Sequence, residues 1–115
     1  MFSIQQVAQA AGVSSRTLRH YDDIGLLPAG RAGNGYRAYT REDLVRLQRI
    51  LLLRDLGLGL PEIADVMAGQ VDDVAALREH AVQLRERAEL LARQLASVER
   101  TIVALTDKEV MMPQD

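Results

Sequence analysis

The sequence predicts a mainly α-helical chain of 115 residues in which several short helices precede one long helix. All eight glycines lie between positions 12 and 69, among apolar residues at helical spacing, which indicates short helices separated by turns. From Asp72 to Lys108 the chain has no Gly or Pro, and apolar residues recur every seven positions, which indicates a single uninterrupted helix. These patterns predict a small domain in residues 1–70, a long helix in residues 71–108 and a tail in residues 109–115.

The first two helices are predicted on either side of Gly12. Apolar residues in IQQVAQAA, residues 4–11, fall at helical spacing, and Gly12 can adopt the left-handed conformation that ends a helix. Ser14 is a suitable N-cap for the next helix, because its hydroxyl can accept a hydrogen bond from a free backbone N–H of the first turn. Two helices joined by a three-residue turn that contains Gly are the signature of a helix-turn-helix motif.

The second helix, SRTLRHYDD, is predicted to have one buried and one exposed face. Leu18 is expected to point into the core, flanked by Tyr21 and Asp22. The opposite face carries Arg16, Arg19, His20 and Asp23. Such a cluster is often only a solvated surface, but its place on the second helix of a helix-turn-helix favours contact with DNA. Asp22 and Asp23 have no nucleophile nearby, so we expect them to end the helix and pair with a neighbouring Arg.

A two-stranded hairpin, or wing, is predicted in residues 28–40. Asn34-Gly35 is a strong signal for a tight hairpin turn, and its flanks are short. Successive residues of the returning strand are expected on opposite faces: Tyr36 and Ala38 on one, Arg37 and Tyr39 on the other. The chain before the wing is expected to be anchored in the core by Ile24, Leu26 and Leu27.

Two further helices are predicted after the wing. Thr40 can cap the first of them, with Asp43 completing a capping box, and Gly57 closes it. Pro61 suits the first turn of the next helix, which ends at Gly69.

The long helix carries an apolar seam that needs a partner. About 35 residues at 1.5 Å per residue give a length of roughly 50 Å, which is too long for a domain of about seventy residues to cover. The most direct partner is the same helix of a second chain, so the seam predicts a homodimer. The seam positions are Leu77, Ala81, Leu84, Ala88, Leu91, Leu95, Val98, Ile102 and Leu105.

Composition excludes several other classes of protein. The chain has no Cys and two His, which excludes disulfides and thiolate metal sites and disfavours a zinc site, and no apolar run is long enough to span a membrane. The net charge is −2, but residues 14–41 carry five Arg against two Asp, which predicts a local positive field. No glycine-rich phosphate loop or nucleophile–base set indicates an enzyme. We therefore expect a soluble cytoplasmic protein without a cofactor.

Three stretches, VSSRTLRHYDDIGLL, NGYRAYTREDLVRLQRILLLRDLGL and PEIADVM, together resemble the MerR family of transcription regulators. The resemblance covers residues 3 to about 105, and HYDDIGLL and RLQRILLLRDLGL are most similar to the TipA-type, drug-responsive subgroup. It implies a winged helix-turn-helix domain and a homodimer joined by an antiparallel coiled coil. It also implies binding to a palindromic promoter with an overlong spacer, which the family's activators bend and untwist so that RNA polymerase can use it.

The resemblance also implies roles for individual residues. The second helix would enter the major groove of double-stranded promoter DNA. It would place Ser15, Arg16, Arg19 and His20 near bases and backbone. At the position of His20 the family usually has Tyr. Tyr21 would reach a phosphate with its hydroxyl, although its place beside Leu18 equally predicts a packed ring. Arg37 and Tyr39 of the wing would grip the DNA backbone, and the free amides at the start of the helix at Pro61 could face another phosphate.

Two departures from the family concern sensing. The family's metal and redox sensors carry cysteines near the end of the long helix, and this sequence has none. Its drug sensors carry an effector domain after that helix, and LTDKEVMMPQD resembles the linker into such a domain. We therefore expect a DNA-binding portion that forms no ligand pocket of its own, so that an effector ligand would need a further C-terminal domain.

Three alternatives remain open at this point. The long helix could be the recognition surface of a protein-interaction module without specific DNA binding. A recombination-directionality factor shares the winged fold, but the long helix disfavours it. His80, near the start of the long helix beside Glu79, could be a pH or metal sensor, but a solvated side chain is the expected interpretation.

Overall fold

The computed structural model describes residues 1–110, with side chains for residues 1–107. Helices dominate this part of the chain, as predicted, and its three strands are short. In chain order the elements are β1 (Phe2–Ser3), α1 (Ile4–Ala11), α2 (Ser15–Asp23), β2 (Gly30–Arg31), β3 (Arg37–Tyr39), α3 (Arg41–Asp55), α4 (Leu60–Met67) and α5 (Asp73–Val110). The chain divides into two compact units, and the boundary between them along the sequence lies between Asp73 and Val74.

Helices α1 and α2 form the predicted helix-turn-helix. Gly12 ends α1 with a left-handed φ of 70°, and its N–H donates to the carbonyl of Ala8 at 3.0 Å. The hydroxyl of Ser14 accepts a hydrogen bond from the backbone N–H of Thr17 at 3.0 Å, so Ser14 caps α2. A turn of three residues therefore separates two capped helices, which fixes the start of α2 independently of its tertiary contacts.

The sheet differs from the prediction because it has a third strand. Strand β3 is central, with β1 on one side and β2 on the other, all antiparallel. Phe2 pairs with Tyr39 and Gly30 pairs with Ala38. The sequence pattern could not indicate β1, because a strand of two residues offers no alternation to detect. Strand β1 leads directly into α1, whose N-cap is Ser3.

The predicted hairpin turn is present between β2 and β3. Gly35 has a left-handed φ of 85°, and the side-chain oxygen of Asn34 accepts a hydrogen bond from the N–H of Tyr36 at 3.1 Å. The predicted alternation in β3 is wrong as a guide to exposure, because Ala38 and Tyr39 are both buried. Since neighbouring residues of a strand point to opposite faces, both faces of the sheet are covered at this end of β3.

Helices α3 and α4 follow the sequence signals closely. The Thr40 hydroxyl accepts from the N–H of Asp43 at 3.1 Å, and the Asp43 carboxylate accepts from the N–H of Thr40 at 2.8 Å, which completes the predicted capping box. Pro61 lies in the first turn of α4.

An aliphatic core joins α1 to α4 in the first unit. Its largest fully buried side chains are Tyr39, Leu18, Leu27, Leu47, Ile50, Ile63 and Val7. Leu26 is also buried, but Ile24 is 49% exposed, so the prediction that Ile24 anchors the chain is wrong. Ile24 follows the last residue of α2, where the helix ends and the chain turns through Gly25, with a φ of 76°.

The second unit begins at Val74 and, in the described residues, consists of the remainder of α5. This helix has 38 residues, slightly longer than predicted at its C-terminal end. His80 is buried, so the prediction of a solvated side chain is wrong; it precedes Ala81 and therefore flanks the seam. In the described part of the chain, no helix is both long and apolar enough to cross a bilayer. Most of the tail predicted for residues 109–115 lies outside the described residues.

Candidate nucleic-acid interface

The exposed face of α2 is the centre of the candidate interface. Leu18 is completely buried, and this fixes the rotation of α2 about its axis. The side chains of Arg16, Arg19 and His20 are consequently exposed, as predicted. Ser15 is half-buried in the first turn. Two guanidinium groups on the second helix of a helix-turn-helix are suited to guanine edges and to phosphates.

Tyr21 is part of the core and not of the exposed face. Its side chain is buried, which confirms the packing interpretation. The pKa of the Arg54 guanidinium is raised, chiefly by its hydrogen bond with Asp55 and also by one with Tyr21. The Tyr21 hydroxyl therefore lies near the guanidinium of Arg54. Its contact with a phosphate remains a prediction.

Arg37 of the wing is held by two aspartates of α2. Its Nε donates to Oδ2 of Asp22 at 2.8 Å, and a terminal nitrogen lies 3.8 Å from Oδ1 of Asp23. The other carboxylate oxygen of Asp22 accepts a hydrogen bond from the N–H of Ala29 at 3.2 Å. The hydrogen bond from Arg37 is the main reason why the pKa of Asp22 lies below its ordinary value. The predicted pairing of the aspartates with a neighbouring Arg is confirmed.

Tyr39 is buried and offers no surface to DNA. Its side chain is 0% exposed, so the prediction that it grips the DNA backbone is wrong for this structure. Burial also raises the pKa of the Tyr39 hydroxyl. In the part of the chain that the structure describes, this hydroxyl has no hydrogen-bond partner. The contact with DNA was implied by the resemblance to the family, and the sequence pattern did not reveal that both faces of β3 are covered at this end.

Arg31 is an exposed cation that the site prediction omitted. It lies on β2 and pairs with Arg37 across the antiparallel ladder. The side chain of Arg31 is exposed, whereas that of Arg37 is half-buried. Counting residues outward from a two-residue Asn34-Gly35 turn places Arg31 opposite Ala38. The observed loop has three residues, so Arg31 pairs with Arg37 instead. We therefore add Arg31 to the candidate DNA-binding residues.

A groove of about 580 Å³ adjoins this surface. The first six residues of the chain form one wall, and the other lining residues include Arg19, Tyr36 and Arg37. The expectation that the chain forms no ligand pocket of its own stays a prediction. Two arginines at its edge suit an anionic occupant such as a phosphate more than an apolar ligand. In the described residues, no group of three His, Asp or Glu side chains is placed to hold a metal ion.

The N-terminus of α4 is not capped by a side chain. Its N-cap is Gly59, which provides no side-chain hydrogen bond to the first turn. A phosphate contact at this end remains a prediction.

The seam of α5 forms a second candidate surface. Within this unit its leucines are exposed, and Leu91 and Leu105 reach 61%. The other exposed seam residues include Leu77, Leu84, Leu95, Val98 and Ile102. Ala81 is half-buried and Ala88 is exposed. A continuous apolar stripe of this length is unusual on a surface that remains in water.

A winged helix-turn-helix unit with an arginine-bearing second helix, followed by a long helix with an apolar seam, defines a DNA-binding regulator. Residues 2–70 match the family described as "MerR HTH family regulatory protein". The chain belongs to this MerR family of transcription regulators, and such proteins are not enzymes.

Named relatives agree with this assignment. The HTH-type transcriptional regulator SkgA of Caulobacter vibrioides is 43% identical over 113 residues, which are 96% of this chain and 44% of SkgA. The HTH-type transcriptional activator TipA of Streptomyces coelicolor is 44% identical over 105 residues, 90% of this chain and 39% of TipA. The chain thus spans less than half the length of these relatives.

Solved structures share the fold. The N-terminal part of the Bacillus subtilis multidrug transporter activator, MtaN, has a TM-score of 0.84 at 36% identity, covering 89% of this chain and 98% of that structure. HiNmlR, a MerR family regulator lacking the sensor domain and solved bound to promoter DNA, has a TM-score of 0.56 at 27% identity. That comparison covers 95% of this chain and 83% of HiNmlR.

Tyr39→Phe removes the buried hydroxyl without changing the shape of the ring. Because an unpaired buried polar group costs roughly 1–3 kcal/mol, we expect the free energy of unfolding to rise by up to that amount. DNA affinity should not change. Denaturant titration and a DNA-binding titration measure the two effects. Tyr36→Phe is the control, since Tyr36 is exposed. A large loss of stability in Tyr39→Phe would show that the hydroxyl has a partner.

Asp22→Asn should lower the melting temperature near neutral pH. The folded-state pKa of Asp22 is lowered, so its contribution to stability is present above the ordinary Asp value of 3.8 and is lost as the pH falls through the folded value. The difference between the wild type and Asp22→Asn should therefore shrink in acid, where both side chains are uncharged. Thermal unfolding at several pH values tests this. Asp55→Asn, in an exposed pair with its neighbour Arg54, should show a smaller difference at every pH.

Proposed function

We propose that the chain binds a palindromic promoter element as a homodimer and controls transcription by distorting an overlong promoter spacer. The observation that carries this proposal is the exposed arginine face of α2 within a unit that belongs to the MerR family. The base-reading residues are Arg16 and Arg19, with His20 and Ser15 beside them. Arg31 and Arg37 of the wing contact the DNA backbone.

The promoter part of this proposal is supported by the relatives. HiNmlR was solved on promoter DNA, and it is 27% identical to this chain. TipA and the Bacillus subtilis protein mta are both named activators. We propose activation for this chain as well. RNA polymerase is then an indirect partner, which meets the chain at the promoter that it distorts, in the cytoplasm.

Dimerisation through α5 is supported by the exposure of its seam. Burial of apolar area is worth about 25 cal/mol per Å², so covering this stripe favours association. The flanking charges favour antiparallel helices. Arg78 and Arg85 lie along the edge of the seam in the first half of α5, and Glu99 lies along the same edge in the second half. Antiparallel copies bring these opposite charges to the same level, whereas parallel copies do not.

A protein-interaction module without specific DNA binding is the alternative function. It also uses the long seam of α5, but it gives the arginines of α2 no role. The two functions differ in one measurement, because only a regulator discriminates between a palindromic promoter duplex and a duplex of scrambled sequence.

Arg16→Ala and Arg19→Ala should each weaken binding to a duplex that the wild type selects from a random library. A bidentate contact to guanine is worth roughly 1–3 kcal/mol, and its loss should also relax specificity. Two copies of both arginines would neutralise about four phosphates if all contacts were to the backbone, which gives a slope of log affinity on log salt near −3.6. Each phosphate that Arg31 or Arg37 of the wing also neutralises would add about −0.9 to this slope.

Arg93→Ala is the matched control, since Arg93 is exposed on α5 away from the seam. Equal binding of the wild type and the α2 variants to selected and scrambled duplexes would favour the interaction module.

Leu91→Glu combined with Leu95→Glu should produce monomers. Four glutamates would meet in the centre of the seam, where burying an unpaired charge is very unfavourable. Analytical ultracentrifugation at tens of micromolar measures the mass, and DNA titration should show that binding to the palindrome is lost. The control is Arg93→Glu, which adds a glutamate outside the seam. A wild type that sediments as a monomer under these conditions would contradict the proposed dimer.

A further inference from the structure

The carboxylate of Asp22 joins three segments of the candidate interface. It belongs to the last turn of α2. One oxygen accepts from Nε of Arg37 on β3 at 2.8 Å, and the other accepts from the N–H of Ala29, which precedes β2, at 3.2 Å. The recognition helix, the approach to the wing and the central strand are therefore tied to a single side chain.

This ion pair differs from the other ion pairs of the first unit in its burial. The side chains of Arg37 and Asp22 are only 22% and 17% exposed, whereas Arg49 and Asp73 are 45% and 52% exposed. A partly buried pair is screened less by salt and water, so it holds its geometry better than a surface pair. Arg54 and Asp55 are neighbours on one helix and join no separate elements.

The geometry of the guanidinium leaves donors for a further partner. An Arg side chain has five N–H donors in one plane, and the contact through Nε uses one of them. The terminal nitrogen near Asp23 is 3.8 Å away, which is beyond hydrogen-bond distance. Because the group is planar, fixing Nε also fixes the directions in which the terminal N–H groups point. The same arginine lines the groove beside Arg19.

We propose that Asp22 is a positioning residue for DNA binding, which fixes the wing against α2 and orients Arg37 towards a phosphate. Asp22 does not touch the DNA. It acts through Arg37 and through the backbone at Ala29. This inference rests on the proposed function, because it assumes that α2 and the wing bind the same duplex.

The sign of the expected effect separates positioning from simple electrostatics. Asp22 is an anion beside a surface that binds a polyanion. If it acted only through its charge, Asp22→Asn would strengthen binding to every duplex. If it positions Arg37, the same change weakens binding to a selected duplex, because Arg37 and the wing are no longer held in place.

Asp23 supplies the matched comparison. It is the next residue of α2, its side chain is 70% exposed, and its contact with Arg37 is long. Asp23→Asn removes the same charge from nearly the same place without breaking the 2.8 Å contact. Its binding to selected and to scrambled duplex should be unchanged or tighter.

The experiment measures dissociation constants by fluorescence anisotropy on two probes. One is the duplex that the wild-type chain selects from a random library, and the other is a scrambled duplex of equal composition. Asp22→Asn should weaken binding to the selected duplex roughly tenfold, which corresponds to about 1.4 kcal/mol, and change binding to the scrambled duplex much less. Titrations are run well below the melting temperature of each variant. Selected-duplex binding by Asp22→Asn that equals or exceeds wild type overturns the proposal.

Arg37→Lys keeps the inference testable if Asp22→Asn does not fold. Lysine retains the positive charge but lacks the planar group and the Nε contact. Positioning therefore predicts weaker binding to the selected duplex with unchanged binding to the scrambled one, and wild-type affinity for both would overturn it. Failure of the proposed function has a different outcome, because the wild type would then select no sequence and Arg16→Ala would have no effect.

Discussion

The burial of Leu18 and Tyr21 fixes the rotation of α2, and the rest of the candidate interface depends on it. A helix of nine residues has no stable orientation by itself, because isolated helices of this length are marginal in water. Its position comes from the core, which holds these two side chains on one face. Arg16, Arg19 and His20 are then exposed as a geometric consequence. The same rotation places Asp22 at the edge of the core, where it meets the wing.

The local distribution of charge matters more for DNA binding by this molecule than its net charge does. An acidic chain can bind DNA because fields beyond a Debye length of about 10 Å are screened, so the phosphates respond mainly to the nearest side chains. The aspartates of α2 modify this local field in two ways. They offset the charge of Arg37, and through Asp22 they determine where its donors point. The negative charge of Asp22 by itself weakens the attraction between the protein and DNA. By holding Arg37 in place, the same carboxylate would strengthen binding.

The long helix follows a different physical rule from the first unit. The first unit buries its own aliphatic side chains, including Leu47, Ile50 and Ile63. Helix α5 instead keeps a regular apolar stripe that its own unit leaves exposed. The spacing of seven residues brings that stripe to one side of a supercoiled helix, which makes a second helix the natural cover. The arrangement of charges along its edge then favours one orientation of the two copies.

The sequence by itself determined the helices, their caps and the exposed face of α2, because these depend on local chemistry. Ser14, Thr40 and Gly12 act through hydrogen bonds and backbone conformations within a few residues of their own positions. Heptad spacing likewise determined the seam of α5.

The tertiary structure alone decided the exposure of the wing and the partners of its side chains. Strand β1 is too short to have a pattern, yet its pairing makes β3 a central strand. The burial of Tyr39, for which the family resemblance implied a contact with DNA, likewise depends on the elements that pack against β3. The sequence suggested that the aspartates pair with an arginine, but only the fold shows that Asp22 reaches Arg37, fifteen residues away. Contacts between residues distant in sequence depend on how whole elements pack, and no local pattern records that packing.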